Sequence, residues 1–278
     1  MRCRALNSSA ARIGGRLEYR SGFPGVRGDY AVRLEGTLQF RGSVFRKFLS
    51  AIGFGAGAGS VVSGKPPYVP YGSDGTNVIY NLLFCDDLAS FKPKPDAKIV
   101  PWQTTLFAEP LDFAALELLA SDASQEGRSR YLAYTLLRNA DKPIPDKILL
   151  GVIVEVGLAD GLDVLAAFSE GGVRYINKTG KVAVFEGVPE IRPVVQAVLD
   201  AAQPIVGRTG PWPGARLAPP RVGNIRITFL VSDGLYFGQG PMTQMQQESM
   251  AAPLIQKATV LLQAVVALAG KSPAPSVA

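Results

Sequence analysis

ILLGVIVEVGLADGLDVLAAFSEGGVRYINKTGKVAVFEG, Ile148 to Gly187, is the stretch on which the fold turns. It divides into four short apolar runs, ILLGVIVEVGL, LDVLAAFS, VRYIN and KVAVFEG. The turn signals Ala159-Asp160-Gly161, Glu170-Gly171-Gly172 and Lys178-Thr179-Gly180 separate them. Connections this short leave no room for a crossover, so neighbouring strands are antiparallel. The stretch predicts a β-meander over about residues 148–186.

Downstream, a helix is predicted from Pro189 to Val206, with Pro189 suited to its first turn. RTGPWPGARLAPP is a Pro/Gly loop, IRITFLV (Ile225–Val231) a further strand, and DGLYFGQGP a loop leading into a long helix that runs through Ala269. Leu254, Ile255, Ala258, Leu261, Leu262, Val265, Val266, Leu268 and Ala269 give that helix a broad apolar face. Such a face packs on the meander; a homodimer contact would produce the same pattern.

Upstream, Leu111–Ala120 and Ala123–Asn139 read as two helices divided by the capping pair Ser121-Asp122. Thr76–Phe91 has helical spacing, with a buried strand as the alternative, and KPKPDAKIVPW reads as extended. Nearer the N-terminus, RLEYR and VRLEGTLQFR alternate with period two, which predicts an antiparallel strand pair with one wet face. Strands grouped with strands, and helices apart, define an α+β class. The expected division is a basic strand pair plus helical region over residues 1–145 and the meander with its later elements over 146–270. PIPD (residues 143–146) lies at the boundary, and 271–278 form a disordered tail.

Composition narrows the chemistry. The 278 residues include no histidine and two cysteines, Cys3 and Cys85. Every mechanism that needs an imidazole base is therefore excluded, as are His-containing and four-cysteine zinc sites. No disulfide framework, signal peptide or membrane-length apolar run is evident, so a cytoplasmic protein without a cofactor is expected. The net charge of +6 is unevenly placed. Residues 1–47 hold ten basic side chains against three acidic ones. Charge concentrated in this way points to an anionic partner.

Arg16, Arg20, Arg33 and Arg41 share the wet face of the predicted strand pair, and Arg46 and Lys47 follow it. These six residues are the expected partner-binding surface. The partner expected first is another protein, within an assembly, and nucleic acid is the alternative. Stacking aromatics are scarce on that face, because Tyr19 and Phe40 point inward.

GSVVSGK, Gly59 to Lys65, matches the letters of a phosphate-binding loop, but Pro66 stands where the metal-ligating hydroxyl belongs. Pro66, Pro67 and Pro70 also prevent the helix that such a loop must open. The uncharged run FLSAIGFGAGAGSVV (48–62), with Cys3 as an acylation site, carries a membrane-association alternative. DGLYFGQGP offers a better-placed anion site between strand and helix, drawing on Asp233, Tyr236, Gly238, Gln239 and Gly240. A His-free enzyme or small-anion-binding protein would use that loop. The carboxylates Glu155, Asp160 and Asp163 flank one hairpin, Asp86 and Asp87 are adjacent, and none forms a recognisable catalytic pair.

Overall fold

The computed structural model describes residues 68–93 and 97–271. The predicted N-terminal strand pair, with Arg16, Arg20, Arg33, Arg41, Arg46 and Lys47, lies outside them, as do Cys3 and the glycine-rich run.

The meander forms where the sequence places it. β1 (Leu149–Leu158), β2 (Gly161–Phe168), β3 (Val173–Ile176) and β4 (Val182–Phe185) are sequential antiparallel neighbours. β5 (Asn224–Val231) pairs with the free side of β1, and β6 (Gly234–Pro241) pairs with β5. Among the described residues the sheet is thus six-stranded, in the order β4-β3-β2-β1-β5-β6, and the fold is α+β.

Both faces of the sheet are covered, which explains why its central strands are almost continuously apolar. On one face, Val152, Val154 and Val156 of β1 meet α5 (Arg192–Arg208) and α7 (Ala251–Lys271). From α7, Leu254, Ile255, Ala258, Leu261, Leu262 and Val265 enter this core, as its apolar stripe predicts. The helix is long and apolar enough to cross a membrane by length and composition, but here its inner face is core.

On the other face, Leu150, Ile153, Val164 and Phe168 meet four helices: α1 (Asp74–Leu82), α2 (Pro101–Leu106), α3 (Phe113–Ser121) and α4 (Gly127–Asn139). Each fully buried aliphatic side chain contributes about 1.5–3 kcal/mol. Inserting a charge at Val154 would therefore remove that gain and strand the charge between sheet and helix. Gly151 is required by close approach, since a Cβ there would lie 2.8 Å from the Phe168 ring.

Four local expectations change. The 76–91 helix stops at Leu82, because Cys85 adopts φ 56°, from which an α-helix cannot continue; Leu88–Phe91 is only a 3-10 turn. Within the stretch read as extended, Pro101 opens α2. Asp122 does not cap α4. Its carboxylate accepts from Ser124 Oγ at 2.7 Å, Ser124 N at 2.9 Å and Gln125 Nε2 at 2.9 Å, a local turn that holds its pKa down to about 2. DGLYFGQGP is not a loop: its glycines sit in edge strand β6, which keeps an unbroken register with β5. Pro241 then precedes α6 (Met242–Met245), a single turn of helix.

Candidate functional site

Fourteen residues, Thr209–Val222, cross from α5 to β5 without regular structure beyond a bend. Pro211, Pro213, Pro219 and Pro220 lack N–H donors, so neither helix nor ladder is open to this strap. Side chains of the body and one β6 carbonyl bond to its backbone instead. Arg226 of β5 donates to Leu217 O at 3.0 Å and Ala218 O at 2.6 Å. Tyr68 Oη donates to Arg216 O at 2.6 Å, and Trp212 N to Leu235 O at 2.7 Å.

Arg216 is the strap's anchor. Its guanidinium lies 4.0 Å from the ring centroid of Phe84, 4.7 Å from Tyr68 and 5.4 Å from Tyr80. In the same pocket, Nε donates to Asp86 Oδ2 at 2.6 Å and Nη2 to Asn81 Oδ1 at 2.7 Å. Nη1 reaches Tyr80 Oη at 3.4 Å. Local sequence builds this cage: Tyr80 and Asn81 end α1, Phe84 follows one turn later, and Asp86 comes just after the left-handed Cys85. Asn81 Nδ2 donates to Tyr68 O at 2.7 Å, tying the incoming chain to the same corner.

Behind the cage lies Glu155 of β1, fully buried. Oε1 accepts from Tyr80 Oη at 2.7 Å. Oε2 has no hydrogen-bond partner among the described residues, and its nearest cation is Arg226 Nη1 at 3.7 Å. Burial pushes the Glu155 carboxyl above the ordinary range, against the opposing pull of Tyr80 and Arg226. Burial, reinforced by Glu155, likewise raises Tyr80.

A second buried network sits on the same face of the sheet, at β3. Arg174, with no exposed side-chain surface, donates to Glu126 Oε1 at 3.1 Å and also pairs with Glu186. Arg128 Nε donates to Glu126 Oε1 at 2.6 Å. Phe168 lies near both guanidiniums, with its centroid 5.6 Å from Arg128 and 5.7 Å from Arg174. Burial alone would raise Glu126, but Arg128 and Arg174 outweigh it and hold the carboxyl below its usual range.

The residues proposed for an anion loop do not converge. Tyr236 Oη donates to Asp233 Oδ2 at 2.7 Å, whereas Gln239 accepts from Arg226 Nε at 2.9 Å farther along β6. Gly238 and Gly240 are mid-strand, and the single turn of α6 does not supply the helix start that this reading needed. The hairpin carboxylates also separate: Asp160 is exposed and pairs with Lys178 at 2.5 Å, while Asp163 is buried and accepts from Lys178 N at 2.7 Å. Asp86 anchors Arg216, and Asp87 caps the Leu88 turn. Among the described residues, no group of three or more His, Cys, Asp or Glu side chains is placed to hold a metal.

The sequence reading did not find the cage, because Arg216 lies 130 to 136 residues from the Asp86, Asn81 and Tyr80 side chains it meets. Its one visible trace is an arginine without an acidic neighbour in a proline-rich loop. No family model, curated protein or solved structure matches the chain.

Proposed function

We propose that the chain is a non-enzymatic interaction protein, a component of a protein assembly, that engages an acidic protein surface through Arg16, Arg20, Arg33, Arg41, Arg46 and Lys47. The observation that carries this reading is the division of charge. Over residues 68–93 and 97–270 there are sixteen basic and nineteen acidic side chains. Arg128, Arg130, Arg174, Arg216 and Arg226 are buried among internal acceptors, and only Glu155 and Asp163 are buried on the acidic side. That leaves eleven basic against seventeen acidic groups outside the core, while residues 1–47 carry ten basic and three acidic. The body is therefore not the source of the chain's positive charge, and an anionic partner is drawn to the preceding segment.

The test compares the full chain with a variant carrying Arg16→Ser, Arg20→Ser, Arg33→Ser and Arg41→Ser. Both are cross-linked in the native cell, and lysates are treated with and without nuclease. The expected result is at least a tenfold loss of captured acidic protein by the variant, indifferent to nuclease. A capture profile that survives the four substitutions would sink the reading. Loss on nuclease treatment, with a steep salt dependence of the purified chain, would transfer the surface to nucleic acid.

A further inference from the structure

We propose that the corner formed by Tyr68, Tyr80, Phe84, Asn81 and Asp86 is a receptor for guanidinium groups, that Arg216 is its resident ligand supplied in cis, and that an arginine side chain of a partner polypeptide exchanges with it.

The chemistry of the corner selects a guanidinium over other cations. Three ring centroids stand 4.0–5.4 Å from the Arg216 carbon, which attracts a weakly hydrated planar cation. A carboxylate at 2.6 Å and an amide oxygen at 2.7 Å take two different nitrogens of the same fork. A phenol oxygen stands 3.4 Å from the third nitrogen. An ammonium ion is a compact, strongly hydrated point charge and cannot satisfy those directions together.

The emptied corner would demand a cation. Asp86 lies at its mouth and Glu155 behind Tyr80, with Arg226 as the remaining guanidinium. Glu155 Oε2 is fully buried and lacks a hydrogen bond among the described residues, so this oxygen is only partly answered from within. Withdrawing Arg216 without replacement therefore leaves Asp86 without its guanidinium partner.

The ligand is also carried on a segment with no strand or helix of its own, with Gly210 and Gly223 (φ 80°) at its ends. It is held to the body by Arg226 on Leu217 O and Ala218 O, Tyr68 on Arg216 O and Trp212 N on Leu235 O. Trp212, Leu217 and Val222 are 41%, 38% and 65% exposed along it. Large apolar side chains presented beside an anchor are what a partner would cover on taking its place.

The probe is L-argininamide, with L-lysinamide at equal ionic strength as control. In Arg216→Ala the corner is vacant, and argininamide should raise Tm by several degrees, saturably, while lysinamide does not. In the wild-type chain the tethered arginine competes at an effective concentration on the order of millimolar, so the probe is taken to about 50 mM. Hydrogen exchange of amides in residues 209–222 should then accelerate at least threefold, with no change in the β1 and β5 amides. Equal shifts by the two amides, or strap exchange that stays constant to the highest concentration, would overturn the proposal. Should Arg216→Ala not fold, Arg216→Lys replaces it in the melting assay, and the wild-type exchange measurement stands independently.

Discussion

Two carboxylates packed against one face of the same sheet, Glu155 fully buried and Glu126 partly exposed, have opposite characters. Glu126 accepts from Arg128 at 2.6 Å and Arg174 at 3.1 Å, and its acidity is strengthened. Glu155 has a phenol at 2.7 Å and its nearest guanidinium at 3.7 Å, and its acidity is weakened. Burial pushes both carboxyls the same way; the number and closeness of the donors decides which tendency wins. The Glu126 network joins α4 to β3 through two guanidiniums. The Glu155 network shares Tyr80 with the corner that holds the strap's Arg216.

The largest expected effect breaks the Glu126 network. Arg174→Met leaves Glu186 without its guanidinium partner and Glu126 with one instead of two. Both carboxylates keep part of their surface in water, so the cost of about 3–5 kcal/mol for a fully buried pair is discounted to about 1–2 kcal/mol. For a chain of this size that is a fall in Tm of roughly 5 °C, measurable by calorimetry. A fall under 2 °C would mean that water already screens the pair and that the contrast with Glu155 is overdrawn.

A smaller effect sharpens the contrast through pH. Because the Glu126 pKa is lowered on folding, its contribution is present above the ordinary carboxylate range and is lost as pH falls through the folded value. Because the Glu155 pKa is raised, stability associated with it is full below that range and declines as pH rises towards and through its folded value. Glu126→Gln should flatten the rise of Tm between pH 3 and 5. Glu155→Gln should steepen the rise of Tm between pH 4.5 and 7. Each change is expected to be a few degrees, on the scale of about 1 kcal/mol. Shifts of the same sign in both variants would refute the assignment.

Much of the sheet was legible because its turns are short and glycine-marked, and those signals depend only on neighbours in sequence. β6 was not, because Gly234, Gly238 and Gly240 read as a loop when their partners on β5 are ignored. An edge strand tolerates such residues once its neighbour supplies the ladder. Cys85 ended a helix that side-chain spacing alone would have continued. The candidate site was the least legible part. Asp86 appeared as half of an unproductive acidic pair, and Glu155 as a hairpin carboxylate. Their roles arise only when Arg216 is brought across from the strap. Gln239 was read as part of an anion loop; it instead binds Arg226, which holds two strap carbonyls.

The strap's anchor also bears on the order of events in folding. Arg216 reaches partners 130 to 136 positions earlier in the chain, and Tyr68 reaches forward across 148. Closing loops of that span gains nothing until α1 and the β1–β5 pair are already in place. The strap should therefore dock after the rate-limiting step, when the sheet and its helices have assembled. Truncating Arg216 would then leave the refolding rate nearly unchanged and accelerate unfolding, a φ-value near zero in a chevron analysis. A residue that arrives last and detaches first governs how long the native state endures, with little influence on how fast it is reached.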